Sequence, residues 1–110
     1  MVKAIKAAQL ADQIRDYLAQ WSSEDLFVLF YSITQVTLET DMLSATIWVD
    51  VLRPEDETKV MRELTHRQGE YQHKLQRVLQ RRTIPRITFK LDEGESLGQR
   101  MDDLLKGTSL

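Results

Sequence analysis

The sequence predicts a single α+β domain over residues 1–110, with helices on one face of a three-stranded sheet. Strand alternation is clear twice. Ala45, Ile47, Val49 and Val51 oppose Thr46, Trp48 and Asp50; Ile87, Phe89 and Leu91 oppose Thr88 and Lys90. Helical periodicity precedes the first of these runs and separates the two. Pro54, Gly69 and Pro85 punctuate the remainder.

The first helix is expected from about Val2 to Trp21, where Leu10, Ile14, Tyr17, Leu18 and Trp21 form one stripe. Ser22-Ser23-Glu24-Asp25 breaks that pattern. A strand from about Val28 to Glu39 follows, rich in β-branched and aromatic residues. Its alternation is clean only near Val36 and Leu38, which calls for a bulge or a late start. Thr40-Asp41 turns the chain into a second, antiparallel strand, Ala45 to Val51. Arg53-Pro54 stops it, and Glu55, Asp56 and Glu57 suit the positive end of a second helix.

That helix runs to about Arg67, burying Val60, Met61 and Leu64, until Gly69 interrupts it. A third helix carries Tyr71, Leu75, Val78 and Leu79, and ends at Ile84-Pro85, because proline restricts the residue before it. Ile87 to Leu91 forms the third strand, and a last short helix is expected from about Ser96 to Leu105. The order is α-β-β-α-α-β-α, that of a type II (bacterial-type) KH-like domain, a nucleic-acid-binding fold.

Hydrophobic content of 42% with 29% charged residues is ordinary for a soluble globular chain. Cysteine is absent, which excludes disulfides, zinc-thiolate sites and thiol nucleophiles. Lys3, Lys6 and Gln9 break the N-terminus, so neither a signal peptide nor a membrane span is expected, and a cytoplasmic location is. Net charge is −2, unevenly distributed. Residues 22–61 carry −6, whereas residues 62–90 carry +6 from eight cations against Glu63 and Glu70. Such a segmental dipole focuses an anionic ligand onto one face.

Three patches resemble the ribosome-binding factor A family. Val36 to Val49, with Asp41 in its turn, looks like the family's first hairpin. Gly69 is similar to the glycine of the family's Ala-x-Gly kink, which replaces the GxxG loop of ordinary KH domains. Arg82-Thr-Ile-Pro85-Arg-Ile87-Thr-Phe89 resembles its R-x-x-P-x-L-x-F segment, followed by Asp92, Gly98, Arg100 and Met101. The resemblance covers Val36 to Leu104. The chain departs from it at Arg67, which stands at the kink alanine, and at Gln72, where an arginine is usual. Arg81 replaces a common leucine, and Glu24-Asp25-Leu26 stands where an Asp-Pro-Arg-like motif is usual.

The resemblance implies a non-catalytic factor that binds the immature small ribosomal subunit and its rRNA and aids late maturation. Its RNA-contacting residues would be Arg67, Gly69, Lys74, Arg77, Arg81, Arg82 and Arg86. At about 100° per residue, Lys74, Arg77 and Arg81 fall in one stripe on the third helix. Arg82 and Arg86 extend it beyond the helix end. Phosphate contacts of this kind give affinity and salt dependence rather than sequence choice. The same stripe also suits a solvated edge whose stems cover apolar surface. The other functional class open to the chain is a protein-interaction module that kept the fold and lost RNA binding.

Gly69 has two readings: a left-handed helix C-cap, or a point where an RNA backbone approaches closely. Trp48, on the polar face of its strand, is either a partly covered sheet residue or a base-stacking one. His66 and His73 would lie about 10 Å apart on a continuous helix, too far for one metal. No catalytic triad, paired carboxylate or nucleotide loop is recognisable, so neither catalytic residues, a metal, a cofactor nor a small-molecule substrate is expected. The expected state is a monomer with no membrane association.

Overall fold

The computed structural model describes residues 2–25 and 31–92. Its elements are α1 (Val2–Asp25), β1 (Tyr31–Leu38), β2 (Ser44–Val51), a 3-10 turn (Pro54–Asp56), α2 (Glu57–His66), α3 (Gln68–Leu79) and β3 (Arg86–Leu91). The expected helix from Ser96 to Leu105, and the start of the first strand at Val28, lie outside the described residues. Within them, the layered α+β order and the KH-like topology hold.

The sheet order is β1-β2-β3, with β1 antiparallel and β3 parallel to the central β2. Ala45, Ile47, Val49 and Val51 are buried, as their alternation predicts, and Ile87 and Phe89 join them from β3. Leu10, Ile14 and Leu18 of α1, Val60 and Leu64 of α2, and Tyr71 and Leu75 of α3 complete one core on that face. The opposite face carries Gln35, Thr37, Thr46, Trp48, Thr88 and Lys90.

The irregular alternation of β1 is a bulge. Ile33 pairs with Val49 and Gln35 with Trp48, so Thr34 is the extra residue. The inward phase therefore changes from Tyr31 and Ile33 to Val36 and Leu38. The Thr34 hydroxyl, turned out of phase, donates to Asp92 Oδ2 at 2.7 Å. Asp92 also gives its backbone N–H to the Val49 carbonyl at 2.8 Å. The bulge thus fastens β1 to the end of β3 across the intervening strand. In the hairpin turn, Asp41 Oδ1 accepts the Leu43 N–H at 2.9 Å, and Met42 adopts the left-handed backbone.

Two helix boundaries differ from expectation. α1 continues through Ser22–Asp25, because Ser22 extends the buried Leu10-Ile14-Leu18 row at four-residue spacing. Its hydroxyl is directed back at the Ala19 carbonyl, 3.5 Å away. α3 stops at Leu79, well before Pro85, because Gln80 takes the left-handed conformation that closes a helix (φ 50°, ψ 39°). Val78, expected on the apolar side, is correspondingly exposed.

Candidate nucleic-acid interface

The bend between α2 and α3 turns at Arg67, whose backbone (φ −91°, ψ 1°) belongs to neither helix. Its N–H is shared between the Glu63 and Leu64 carbonyls, and its carbonyl accepts the Tyr71 N–H at 3.0 Å. Gly69 therefore does not form the break, and its reading as a left-handed cap is overturned. It lies in the first turn of α3, no described glycine has positive φ, and a Cβ there would meet nothing within 4 Å. Gly69→Ala is expected to stabilise the fold by roughly 0.5–1 kcal/mol, since alanine loses less chain entropy in a helix. Urea unfolding checks this; a loss of stability would mean that the backbone at residue 69 is not plain helix. What the glycine leaves is bare, accessible backbone at the bend.

Arg67 itself turns inward. Its Nη1 lies 3.6 Å from both Asp25 Oδ2 and Glu70 Oε2. The same Asp25 oxygen accepts the Tyr71 hydroxyl at 2.8 Å, tying the end of α1 to the bend. Burial, with the hydrogen bond to the Asp25 carboxylate, pushes the Tyr71 hydroxyl far above its ordinary pKa. The Tyr31 hydroxyl and the Arg67 Nε are buried beside this network, with no hydrogen-bond partner among the described residues. Burial raises the Tyr31 pKa too, and the Asp25 charge adds to it. Lys74 pairs with Glu70 at 3.6 Å and stands 5.4 Å over the Trp21 ring. Trp21 is in turn stacked between Tyr17 and Tyr71. Half-exposed pairs of this sort contribute at most about 1 kcal/mol, so Lys74 can be drawn to an external anion at small cost.

The remaining cations are disposed differently. Arg77 sits in the last turn of α3, where a positive charge suits the helix end. Arg81 and Arg82 follow the left-handed Gln80, and Arg86 opens β3. Arg81 thus falls off the helical stripe expected for Lys74, Arg77 and Arg81. All four arginines are exposed and none makes an ion pair among the described residues. Among the described residues, the turn from α3 to β3 is consequently a basic knob with no paired acid.

Sequence reasoning missed what holds that turn against the helix. Gln72 Nε2 donates to the Pro85 carbonyl at 2.8 Å, while its Oε1 accepts the Ile87 N–H at 2.9 Å. Gln68 Nε2 donates to the Ile87 carbonyl at 2.7 Å. The Gln72 amide behaves as one residue of a further strand. Arginine at this position has five donors and no acceptor, so it cannot serve the Ile87 N–H. The departure at Gln72 therefore has a structural purpose, signalled only by two glutamines one helical turn apart. Gln72→Leu is expected to cost roughly 1–3 kcal/mol, the penalty for orphaning partly buried backbone groups. Chemical unfolding monitored by circular dichroism checks it.

Beside the clamp, Thr65, Gln68, Gly69, Gln72, Ile84 and Arg86 line an open groove. A second depression, lined by Glu57, Thr58, Met61, Arg62, Thr65 and Leu91, shares Thr65 with it. The two run between the helices and β3, with Arg86 at one end and Arg62 toward the other. Bare backbone at Gly69 and side-chain cations at the rim fit an extended, negatively charged chain. His66 and His73 are both exposed, and no metal-binding cluster occurs among the described residues. No described helix is long and apolar enough to cross a membrane.

A family profile described as ribosome-binding factor A matches residues 3–105. Ribosome-binding factor A of Mycoplasmoides gallisepticum is 29% identical over 104 residues, covering 92% of this chain and 87% of that protein. The crystal structure of ribosome-binding factor A from Thermus thermophilus superimposes with a TM-score of 0.65 at 24% identity, covering 77% of this chain and 94% of the other. Homology-built coordinates of the Thermus thermophilus factor, as fitted into the cryo-EM map of a complex with the 30S particle, also give 0.65 at 24% identity, covering 80% and 97%.

Proposed function

The chain belongs to the ribosome-binding factor A family, and from that premise we propose that it is a non-catalytic assembly factor that binds the immature small ribosomal subunit through rRNA. The observation that carries the rRNA contact is the exposed cluster Arg77, Arg81, Arg82 and Arg86, paired with no acid among the described residues, beside the open groove at Gly69. A related factor has been fitted into a 30S complex, which supports the same target here. The arginines meet phosphates, Lys74 is recruited from Glu70, and Gly69 admits the RNA backbone at the bend. Arg67 contributes by positioning: it holds the bend through Asp25 and Glu70. The factor works as a cytoplasmic monomer and needs no cofactor.

Co-sedimentation of the protein with purified small subunits, large subunits and whole ribosomes tests this. Selective pelleting with the small subunit, weakening as salt rises, is expected, because each phosphate contact releases bound counterions. Absence of pelleting at low salt overturns the proposal. Recovery of a protein partner undiminished by nuclease would then assign the fold to protein interaction.

A further inference from the structure

Apart from Arg86, the face of the sheet turned away from the helices has no part in the interface described above. On it, Trp48 occupies the middle of the central strand, with Gln35 as its neighbour on β1 and Lys90 as its neighbour on β3. The next row is Thr37, Thr46 and Thr88. Beyond that, Ser44 pairs with Arg86. The indole is pinned: its Nε1 donates to Thr37 Oγ1 at 2.9 Å, and Gln35 Nε2 donates to the same hydroxyl at 3.2 Å. Small threonines surround the ring on the adjoining row, and none of the core residues lies on this side.

We propose that this open face is a second RNA-contact surface, on which Trp48 stacks an unpaired base while Lys90 and Arg86 meet flanking phosphates. It goes beyond the interface at the basic knob, and depends on the small-subunit reading only for which RNA is met in the cell. Three arguments carry it. A ring already held by a hydrogen bond loses little further freedom when a base settles on it. Lys90 and Arg86 lie four residues apart on one strand, roughly 13 Å at the usual rise, so they serve different phosphates of one chain. Asp50, paired with Ser32, and Glu39, whose N–H donates to the Ser44 carbonyl, place negative charge toward the two ends of this face, which leaves Lys90 as the cation directly beside Trp48 in its middle.

The occupant follows from the same composition. A protein interface needs a core of adjoining apolar or aromatic residues, whereas Trp48 stands alone among threonines, glutamine and cations. A duplex hides its base faces in the stack, so it offers nothing to a flat ring. Single-stranded RNA supplies both a π-face and phosphates.

The test titrates uniformly 15N-labelled full-length protein with a single-stranded RNA of about ten nucleotides at low salt. The chain has two tryptophans, so two indole signals report separately. Trp21, stacked between Tyr17 and Tyr71 beneath Lys74, reports on the helix side. The Trp48 signal is expected to shift, whether or not RNA drawn to Lys74 also moves the Trp21 signal. Trp48→Leu should weaken binding roughly five- to 150-fold, the range for loss of one stacked base. Trp48→Phe should restore much of it, and Lys90→Gln should flatten the salt dependence. If Trp48→Leu proves unfolded, Trp48→Phe and Lys90→Gln supply the measurement. An unmoved Trp48 signal, or unchanged affinity in Trp48→Leu, overturns the proposal. So does equal competition by a duplex of the same length. If Trp48→Leu leaves oligonucleotide binding intact but lowers pelleting with subunits, the face docks a ribosomal protein instead. Oligonucleotide binding through Trp48 with no pelleting at all leaves this proposal standing and overturns the small-subunit one.

Discussion

Tyr71→Ala is expected to cost roughly 3–5 kcal/mol, the range for removing a buried aromatic ring, which is most of the stability of a domain this small. Tyr71 is fully buried and lies between the Trp21 ring, stacked at 6.2 Å, and the Phe89 ring, edge-on at 6.4 Å. Its loss opens a cavity where α1, α3 and β3 meet. It also deprives Asp25 of its hydroxyl donor, leaving the Arg67 ion pair at that oxygen among the described residues. Tyr71→Phe separates the two effects. It keeps the ring and removes the donor, for an expected cost of about 1.5–3 kcal/mol, as for other hydrogen bonds to charged groups. Urea unfolding of both variants decides the matter. Equal losses would place the energy in the hydroxyl, and a loss below about 1 kcal/mol in Tyr71→Ala would mean that the ring is not packed.

The largest functional effect is expected from replacing Arg77, Arg81 and Arg82 together by glutamate. Small-subunit affinity should fall on the order of a hundredfold or more, and the slope of log affinity against log salt should flatten by about 0.7–0.9 for each phosphate no longer neutralised. The three side chains are exposed and outside every described ion pair, so thermal stability should change little. Sedimentation across a salt series reads both quantities. Undiminished affinity would remove the basic knob from the interface. Charge reversal at Lys74 would be a poorer test, because it also breaks the Glu70 pair and the cation–π pairing with Trp21.

Much of this arrangement was legible in the residues. The alternation of β2 named its buried side, and the irregular alternation before Val36 and Leu38 left a bulge or a late start open, of which the bulge at Thr34 is what forms. The helix ends were less legible, because the strongest local punctuators were not the residues used. Gly69 is an ordinary helical residue, while the bend falls on Arg67 and the left-handed cap on Gln80, neither marked by composition. A glutamine cap carries a conformational penalty that the tertiary clamp at Pro85 and Ile87 offsets, and the clamp is invisible to local propensity. The same limit applied to the site. Spacing placed Arg81 on a stripe that the helix does not reach, and gave no sign that Arg67 is occupied by Asp25, far away in the sequence.

The glutamine clamp has a consequence beyond holding the turn. β3 lies at the margin of the sheet, and a margin with free N–H and C=O groups is a template on which other chains polymerise. At the Pro85–Ile87 end, the groups an incoming strand would need are already taken by Gln68 and Gln72. Arg86 and Lys90 add charge along the same strand, a common deterrent to amyloid-like stacking. The amide that replaces an arginine at residue 72 therefore also acts as a gatekeeper, blocking that end of β3 to edge-to-edge aggregation.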